Sequence, residues 1–181
     1  MRRSAYWDIN QDQVTKFDWW QTKDIAGISF TCTPAQHFSG RTATIAMQKT
    51  LWSSWALRTE ATSVYFSGDS IYAGHFKEIG DRLGPFDLTL IDAGQYNERW
   101  RQVHNLPPQV IDACNDLRGD ILVPIGWGIF TLALHDWYEP PVEISSRSFK
   151  IGATVAIPKF GEWVDINQEL PDKKWWEPLI D

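Results

Sequence analysis

The sequence predicts an α/β fold, with a mixed β-sheet and flanking helices. Two observations lead to this prediction. Short apolar runs alternate with helix-like segments through the middle of the chain, and the clearest early strand signals form an antiparallel hairpin. The length of 181 residues suits one domain with a core of its own. We therefore expect residues 1–181 to form a single domain.

The first predicted strands precede any helix. Residues 17–21 predict a short edge strand or a loop held by its tryptophans, and residues 27–33 predict a strand that ends at Pro34. Alternating side chains predict a strand over 50–58, and the chain then turns and returns as a strand over 64–67. These last two strands form the predicted hairpin.

Helices and strands then alternate. The predicted elements are, in order, a helix, a strand, a helix and a strand, at 74–83, 86–92, 107–117 and 121–124. The first helix stops at a Gly-Pro pair and the second begins with two prolines, as is typical of helix ends. Residues 131–138 predict a further helix that ends before Pro140, and residues 153–157 predict a last strand that pairs with 160–164.

Composition excludes several classes of partner and location. The net charge is -6, and no cluster of Lys and Arg occurs, which argues against nucleic acid and anionic membranes. No apolar run of about 18 residues exists to span a membrane, and the first residues lack the apolar core of a signal peptide. Cys32 and Cys114 lie far apart, so we expect two buried, reduced thiols and a cytoplasmic location.

Three predicted strand ends carry the residues of chemical interest. His37 follows the strand that ends at Pro34, Asp69 follows Gly68 at the end of another, and Gly126 follows a third. Loops at the carboxyl ends of strands commonly form the site of an α/β protein. From the residues alone, His37 is a metal ligand or a structural histidine, and Asp69 is a site carboxylate or a helix cap.

Other chemistries find less support in the sequence. The histidines have no partner at the spacing that pairs imidazoles on a helix or strand, although His104 precedes the helix at 107–117 and can reach a cleft. No Gly-x-Ser-x-Gly elbow or Gly-rich phosphate loop occurs. The 11 tryptophans fit a core, or a groove that holds an acyl chain or a sugar.

Several short motifs occur together in a fixed order. They are Thr-Pro-Ala-Gln-His at 33–37, Ser-Gly-Asp-Ser at 67–70, Gly-Pro-Phe-Asp-Leu at 84–88, Gly-Gln-Tyr-Asn at 94–97 and Gly-Trp-Gly at 126–128. The set resembles the metallo-β-lactamase superfamily, specifically the branch of N-acylphosphatidylethanolamine-hydrolysing phospholipase D and its bacterial relatives. The resemblance covers about residues 15 to 165 and implies an αββα sandwich.

The resemblance also implies a function and a set of site residues. Members bind two zinc ions and hydrolyse phosphodiesters or similar bonds with a metal-bound water or hydroxide. His37 matches a zinc-ligand histidine, Asp69 matches the carboxylate that bridges both metals, and His104 matches a histidine near the substrate. We therefore expect Asp69 and His104 in catalysis, and His37 and Asp69 as zinc ligands.

Two departures from the family pattern set the remaining expectations. The upstream His-x-His-x-Asp-His motif has no match here, and Gly126 stands where relatives have histidine. Two ligands are too few for a zinc centre. The chain then corresponds to the C-terminal half of the fold, truncated or degenerate, and is inactive alone. It is either a zinc-dependent phosphodiesterase completed by a separate N-terminal half or a second copy, or a metal-free interaction module that binds a lipid or a partner chain.

Overall fold

We describe the protein from a computed structural model, which describes residues 9–38, 50–171 and 173–180. A seven-stranded sheet in the order β1 to β7 forms its frame. The strands are β1 Thr22–Ile25, β2 Ile28–Pro34, β3 Ser53–Arg58, β4 Ser63–Phe66, β5 Phe86–Asp92, β6 Gly119–Ile125 and β7 Thr154–Val155. Strands β1 to β4 pair antiparallel and β4 to β7 pair parallel. The predicted α/β fold with a mixed sheet is confirmed.

Three α-helices lie in the described segments, α1 Gly74–Leu83, α2 Pro107–Leu117 and α3 Glu139–Arg147. The first two match the predicted helices. The helix predicted over 131–138 is wrong, since this stretch is loop and turn. Pro140 and Pro141 lie in the first turn of α3, where a missing backbone N–H leaves no bond unmade. The sequence interpretation took these two prolines as the end of a helix, although they mark the beginning of one.

Residues 17–21 take the loop alternative, because Trp19 and Trp20 lie in a turn and Trp19 Nε1 donates to the Trp52 carbonyl. The first strand begins at Thr22. The prediction for the last strand differs from the structure. The last strand is shorter than predicted, Thr154–Val155 only, and residues 160–164 form a turn and loop without pairing to it. Short edge strands make few ladder hydrogen bonds, so local propensity gives a weak signal for their ends.

One face of the sheet packs against α1 and α2. Tyr65, Ile91 and Leu122 are fully buried on this side, and they belong to one core cluster with Phe76 of α1 and Val110 of α2. Cys114 in α2 and Cys32 in β2 are free and buried, as predicted. This helix-covered core fixes the strands whose ends carry the site.

The opposite face of the sheet, which we call the open sheet face, is apolar and only partly covered. Cross-strand pairing aligns two rows of side chains on it: Phe30, Leu57, Val64, Leu88 and Ile121 in one, and Trp55, Phe66, Leu90 and Val123 in the other. Phe66 is 39% exposed, and a groove of about 550 Å³ runs over much of this surface. An apolar sheet face of this kind is normally buried under a second layer.

The contact between α1 and α2 gives a stability prediction. A Cβ on Gly80 would lie 1.9 Å from the carbonyl oxygen of Asp116, whereas a Cβ on Gly74 meets nothing within 4 Å. We expect Gly80→Ala to lower the free energy of unfolding by about 1–3 kcal/mol, because the helices must separate. The control Gly74→Ala leaves it unchanged or raises it by up to about 1 kcal/mol. Urea unfolding of both variants measures this; equal effects would contradict the packing of α1 on α2.

Candidate functional site

Hydrogen bonds tie together the loops that follow β2, β4 and β5. The backbone N–H of Gln36 donates to Ser70 Oγ at 3.1 Å, and the N–H of Ile71 donates to the Gln36 carbonyl at 3.0 Å. The N–H of Asp92 donates to Ser67 Oγ at 2.8 Å. The buried serines of the Ser-Gly-Asp-Ser motif therefore join its loop to the His37 loop on one side and to the end of β5 on the other.

Asp69 and His104 face the same cavity, as the sequence prediction requires. The cavity has a volume of about 800 Å³, and Asp92, Gly126 and Trp127 also line it. Gly68 has φ +58, the left-handed conformation in which the chain turns from β4 to present Asp69. The structure thus brings a carboxylate from the end of β4 to the imidazole that precedes α2.

Sequence analysis missed Asp92, the most deeply buried acid of this cavity. Its carboxylate oxygen Oδ2 lies 2.7 Å from His104 Nδ1, and its side chain is 2% exposed. Asp92 ends β5, next to the strand that leads to Asp69. A carboxylate at the carboxyl end of a buried parallel strand was the available signal, and the sequence interpretation treated it only as the end of that strand.

The buried pair changes the protonation of both partners. Burial raises the pKa of Asp92, and the hydrogen bond from His104 only partly offsets it. Burial lowers the pKa of His104, but the hydrogen bond and charge of Asp92, with the charge of Asp69, outweigh burial and leave that pKa raised. Two carboxylates around one imidazole therefore favour a proton on His104.

His37 lies beside this cavity and lines a neighbouring one. Its ring centroid is 5.3 Å from that of His104, and its Nδ1 lies 3.1 Å from the Phe38 carbonyl. Its Nε2 is buried with no hydrogen-bond partner among the described residues. Trp19, Trp52 and His75 line the neighbouring cavity of about 530 Å³ with it. His37 therefore lies beside His104, at the boundary between the cavity of Asp69 and this neighbouring one.

The described residues do not supply a complete metal site. Within 9–38, 50–171 and 173–180, no three His, Cys, Asp or Glu side chains lie close enough together to hold a metal ion. The unpartnered Nε2 of His37 is a nitrogen that a metal could satisfy, but a zinc ion needs about three to four protein ligands. The donor set present fits part of a metal site and not the whole of one.

The loop after β6 forms an apolar wall of the cavity. Ile129, Phe130 and Leu132 line the cavity and are 69%, 69% and 74% exposed. Gln95 fixes this loop, because its side chain donates to the Phe130 carbonyl at 2.8 Å and accepts from the N–H of Leu132 at 3.1 Å. The exposed apolar side chains are thus held at the cavity by a polar residue of the Gly-Gln-Tyr-Asn motif.

Residues 2–127 match the beta-lactamase superfamily domain, and solved structures share the fold. The chain belongs to the metallo-β-lactamase superfamily. Igni18, a metallo hydrolase from Ignicoccus hospitalis, superposes with a TM-score of 0.64 at 21% sequence identity. The superposition covers 89% of this chain and 65% of Igni18. The superfamily and fold predicted from the motif order are therefore confirmed.

Relatives in the superfamily differ in name and length. An uncharacterized protein of Mycobacterium tuberculosis, Rv0906, is 37% identical over 173 residues, which are 94% of this chain and 46% of the relative. The N-acyl-phosphatidylethanolamine-hydrolyzing phospholipase D 1 of Caenorhabditis elegans is 33% identical over 135 residues, 71% of this chain and 38% of that enzyme. The chain thus spans about half the length of the mycobacterial protein, and less of the nematode one.

Membrane spanning was also predicted to be absent. None of the helices in the described segments is long and apolar enough to cross a bilayer. The cytoplasmic location stays a prediction.

His75 gives a pH prediction for this region. It is half-buried on α1, and its Nε2 lies 3.2 Å from Ser70 Oγ. Burial lowers the pKa of His75 from 6.5 to about 4, so between these values the unfolded chain binds more protons than the folded one. The stability is fully present above about pH 6.5 and declines as the pH falls toward 4.

The measurement is the urea midpoint at about pH 7 and about pH 5 for the wild type and His75→Gln. We expect a smaller acid-induced loss in the variant, since glutamine does not titrate. Lys77→Gln, an exposed change on the same helix, serves as the control and keeps the wild-type loss. The same loss in His75→Gln as in the wild type would contradict the buried neutral imidazole.

Proposed function

We propose that this chain is the C-terminal part of a metal-dependent hydrolase that cleaves lipid-like phosphodiesters. The observation that carries the proposal is the position of Asp69, Asp92 and His104 in one cavity with an apolar wall. An acid and a protonated imidazole suit proton transfer to an oxygen leaving group. The apolar wall suits a substrate with a hydrocarbon portion.

The apolar wall favours a lipid-like substrate over a small polar one. Ile129, Phe130 and Leu132 give it an exposed surface, and Trp127 and Phe160 pack together behind it with ring centroids 5.4 Å apart. Ligand cavities of this kind use apolar walls for affinity and a few polar groups for orientation. The name of the nematode relative, a phospholipase D, agrees with this substrate class.

Each polar side chain has one proposed role. His37 and Asp69 would hold the metal, and the remaining ligands would come from residues that complete the domain. The bound metal, zinc in the family resemblance, would supply Lewis-acid chemistry and a water of lowered pKa. His104 holds a proton at Nε2, facing the cavity, and gives it to the departing oxygen. Asp92 stabilises the protonated form of that imidazole.

The open sheet face supports a second proposal, about what completes the domain. The rows through Leu57 and Leu90 leave an apolar surface that needs a covering layer. Val123 and Ile125 continue this side of the sheet into the wall of the catalytic cavity. A layer on this face would therefore also approach the metal donors. We propose that a separate N-terminal half, or otherwise a second copy of the chain, supplies it.

The function test combines metal content with turnover. The purified chain is dialysed against zinc or manganese, alone and after co-expression with the upstream half of the mycobacterial relative. We expect bound metal and hydrolysis of a long-chain phosphodiester only in the combined protein. His37→Ala and Asp69→Ala should remove the metal, whereas His104→Ala should keep it and lower kcat by about 100-fold or more.

Lys150→Ala, an exposed change outside the lining of this cavity, is the control and should keep both metal and turnover. A combined protein that stays metal-free and binds the lipid without hydrolysing it would overturn the proposal. That result would instead support the metal-free interaction module, an alternative that Gly126 in place of histidine favours.

The proposal that the open sheet face needs a covering layer leads to a prediction about the oligomeric state of the chain. We expect the isolated chain to self-associate, because the open sheet face is apolar and only partly covered. Leu57→Ser with Leu90→Ser should shift the chain toward monomer, whereas the control Phe149→Ser changes a side chain that is 78% exposed elsewhere and should not. Sedimentation velocity measures the masses. A monodisperse wild-type monomer with one sharp melting transition would contradict the proposal.

A further inference from the structure

The carboxylate of Asp92 has few partners apart from His104. Its Oδ2 lies 2.7 Å from His104 Nδ1, and its Oδ1 accepts a longer bond, 3.4 Å, from the N–H of Gly94. Among the described residues, no Lys or Arg forms an ion pair with it. A carboxylate buried at 2% exposure is stable only if such contacts satisfy it. His104 is therefore its main partner.

The residue after His104 anchors the same loop to the same strand end. The side-chain amide of Asn105, which is fully buried, donates to the backbone carbonyl of Asp92 at 2.9 Å. Asp92 thus holds two adjacent residues of the loop: its carboxylate contacts His104, and its backbone carbonyl accepts from Asn105. This double attachment fixes the imidazole ring in position and in orientation.

Two glycines leave room for the carboxylate. Gly126 has φ +79, and a Cβ built on it would lie 2.9 Å from Asp92 Oδ1. A Cβ on Gly94 would lie 2.0 Å from the Gly126 carbonyl oxygen, so the two loop backbones approach each other closely. A side chain at position 126 therefore competes with the Asp92 carboxylate for one volume.

We infer that Asp92 is a positioning residue that holds His104 with Nδ1–H on its carboxylate and Nε2 toward the cavity, and that Gly126 is required because this carboxylate occupies the space beside it. The ionised carboxylate accepts hydrogen bonds and donates none, so it selects the tautomer with the proton on Nδ1. The nitrogen on the cavity side is then the one that exchanges a proton with a substrate.

The Asp92 carboxylate also limits which side chains position 126 accepts. Gly126→His, which would restore the histidine that the family resemblance places there, is crowded in this chain. A histidine at 126 meets the Asp92 carboxylate and adopts a left-handed backbone. The Asp92 carboxylate therefore occupies the place beside position 126. The consequence for turnover rests on the proposed function, whereas the orientation of His104 does not.

The first test reads the tautomer directly. Long-range ¹H–¹⁵N spectra of the wild-type protein at about pH 9, where imidazoles are neutral, assign the protonated nitrogen of His104. We expect Nδ1–H in the wild type. Asp92→Asn should shift the population toward Nε2–H, because an amide can turn its donor toward Nδ1. The control Asp24→Asn, an exposed change on β1, should leave the spectrum unchanged.

A wild-type His104 with its proton on Nε2 would overturn the inference without any variant or substrate. If turnover is measurable, Asp92→Asn should lower kcat by about 100-fold with little change in KM. Absence of turnover even in the combined protein, with the expected tautomer, would count against the proposed function alone.

The second test measures the competition for space. Gly126→Ala should lower the melting temperature by about 4 °C more in the wild-type background than in an Asp92→Ser background, where the methyl group has room. The backbone strain at φ +79 is the same in both backgrounds and cancels in the comparison. Equal losses in the two backgrounds would show that Asp92 does not need the glycine and would overturn this part of the inference.

Discussion

The parallel register of β4, β5 and β6 is the constraint on which the site depends. Val64 pairs with Leu88, and Leu88 pairs with Ile121, so these strands end at one edge of the sheet. The burial of Tyr65, Ile91 and Leu122 under the helices holds that register, because a slip by one residue would turn apolar side chains to the wrong face. This register places Asp69, Asp92 and Gly126, which lie at or just after the ends of these strands, at the same edge of the sheet.

Much of this arrangement could be predicted from the sequence, for physical reasons. Strands with β-branched or fully apolar runs, and helices with clear ends such as Pro107, were predicted close to their observed bounds. The order of motifs indicated the superfamily and drew attention to Asp69 and His104, which face one cavity. Strand propensity and helix-end patterns depend on residues that are close together in the sequence, so a single sequence is enough to detect them.

The rest depends on contacts between distant residues. Pro140 and Pro141 are compatible with the end of one helix or the first turn of the next, and only packing decided between them. The partnership of Asp92 with His104 joins a strand end to a later loop, and a single sequence gives no sign of it. The position of His37 against the ring of His104 likewise depends on how the loops pack.

The close approach of the loops at Gly94 and Gly126 has a consequence for descent. A histidine gained at position 126 by one substitution would meet a carboxylate in its space, and a change of Asp92 alone would release His104 before anything replaced it. Positions 92 and 126 are therefore coupled, and a residue larger than glycine at 126 calls for a smaller one at 92. Related chains are expected to change these two positions together.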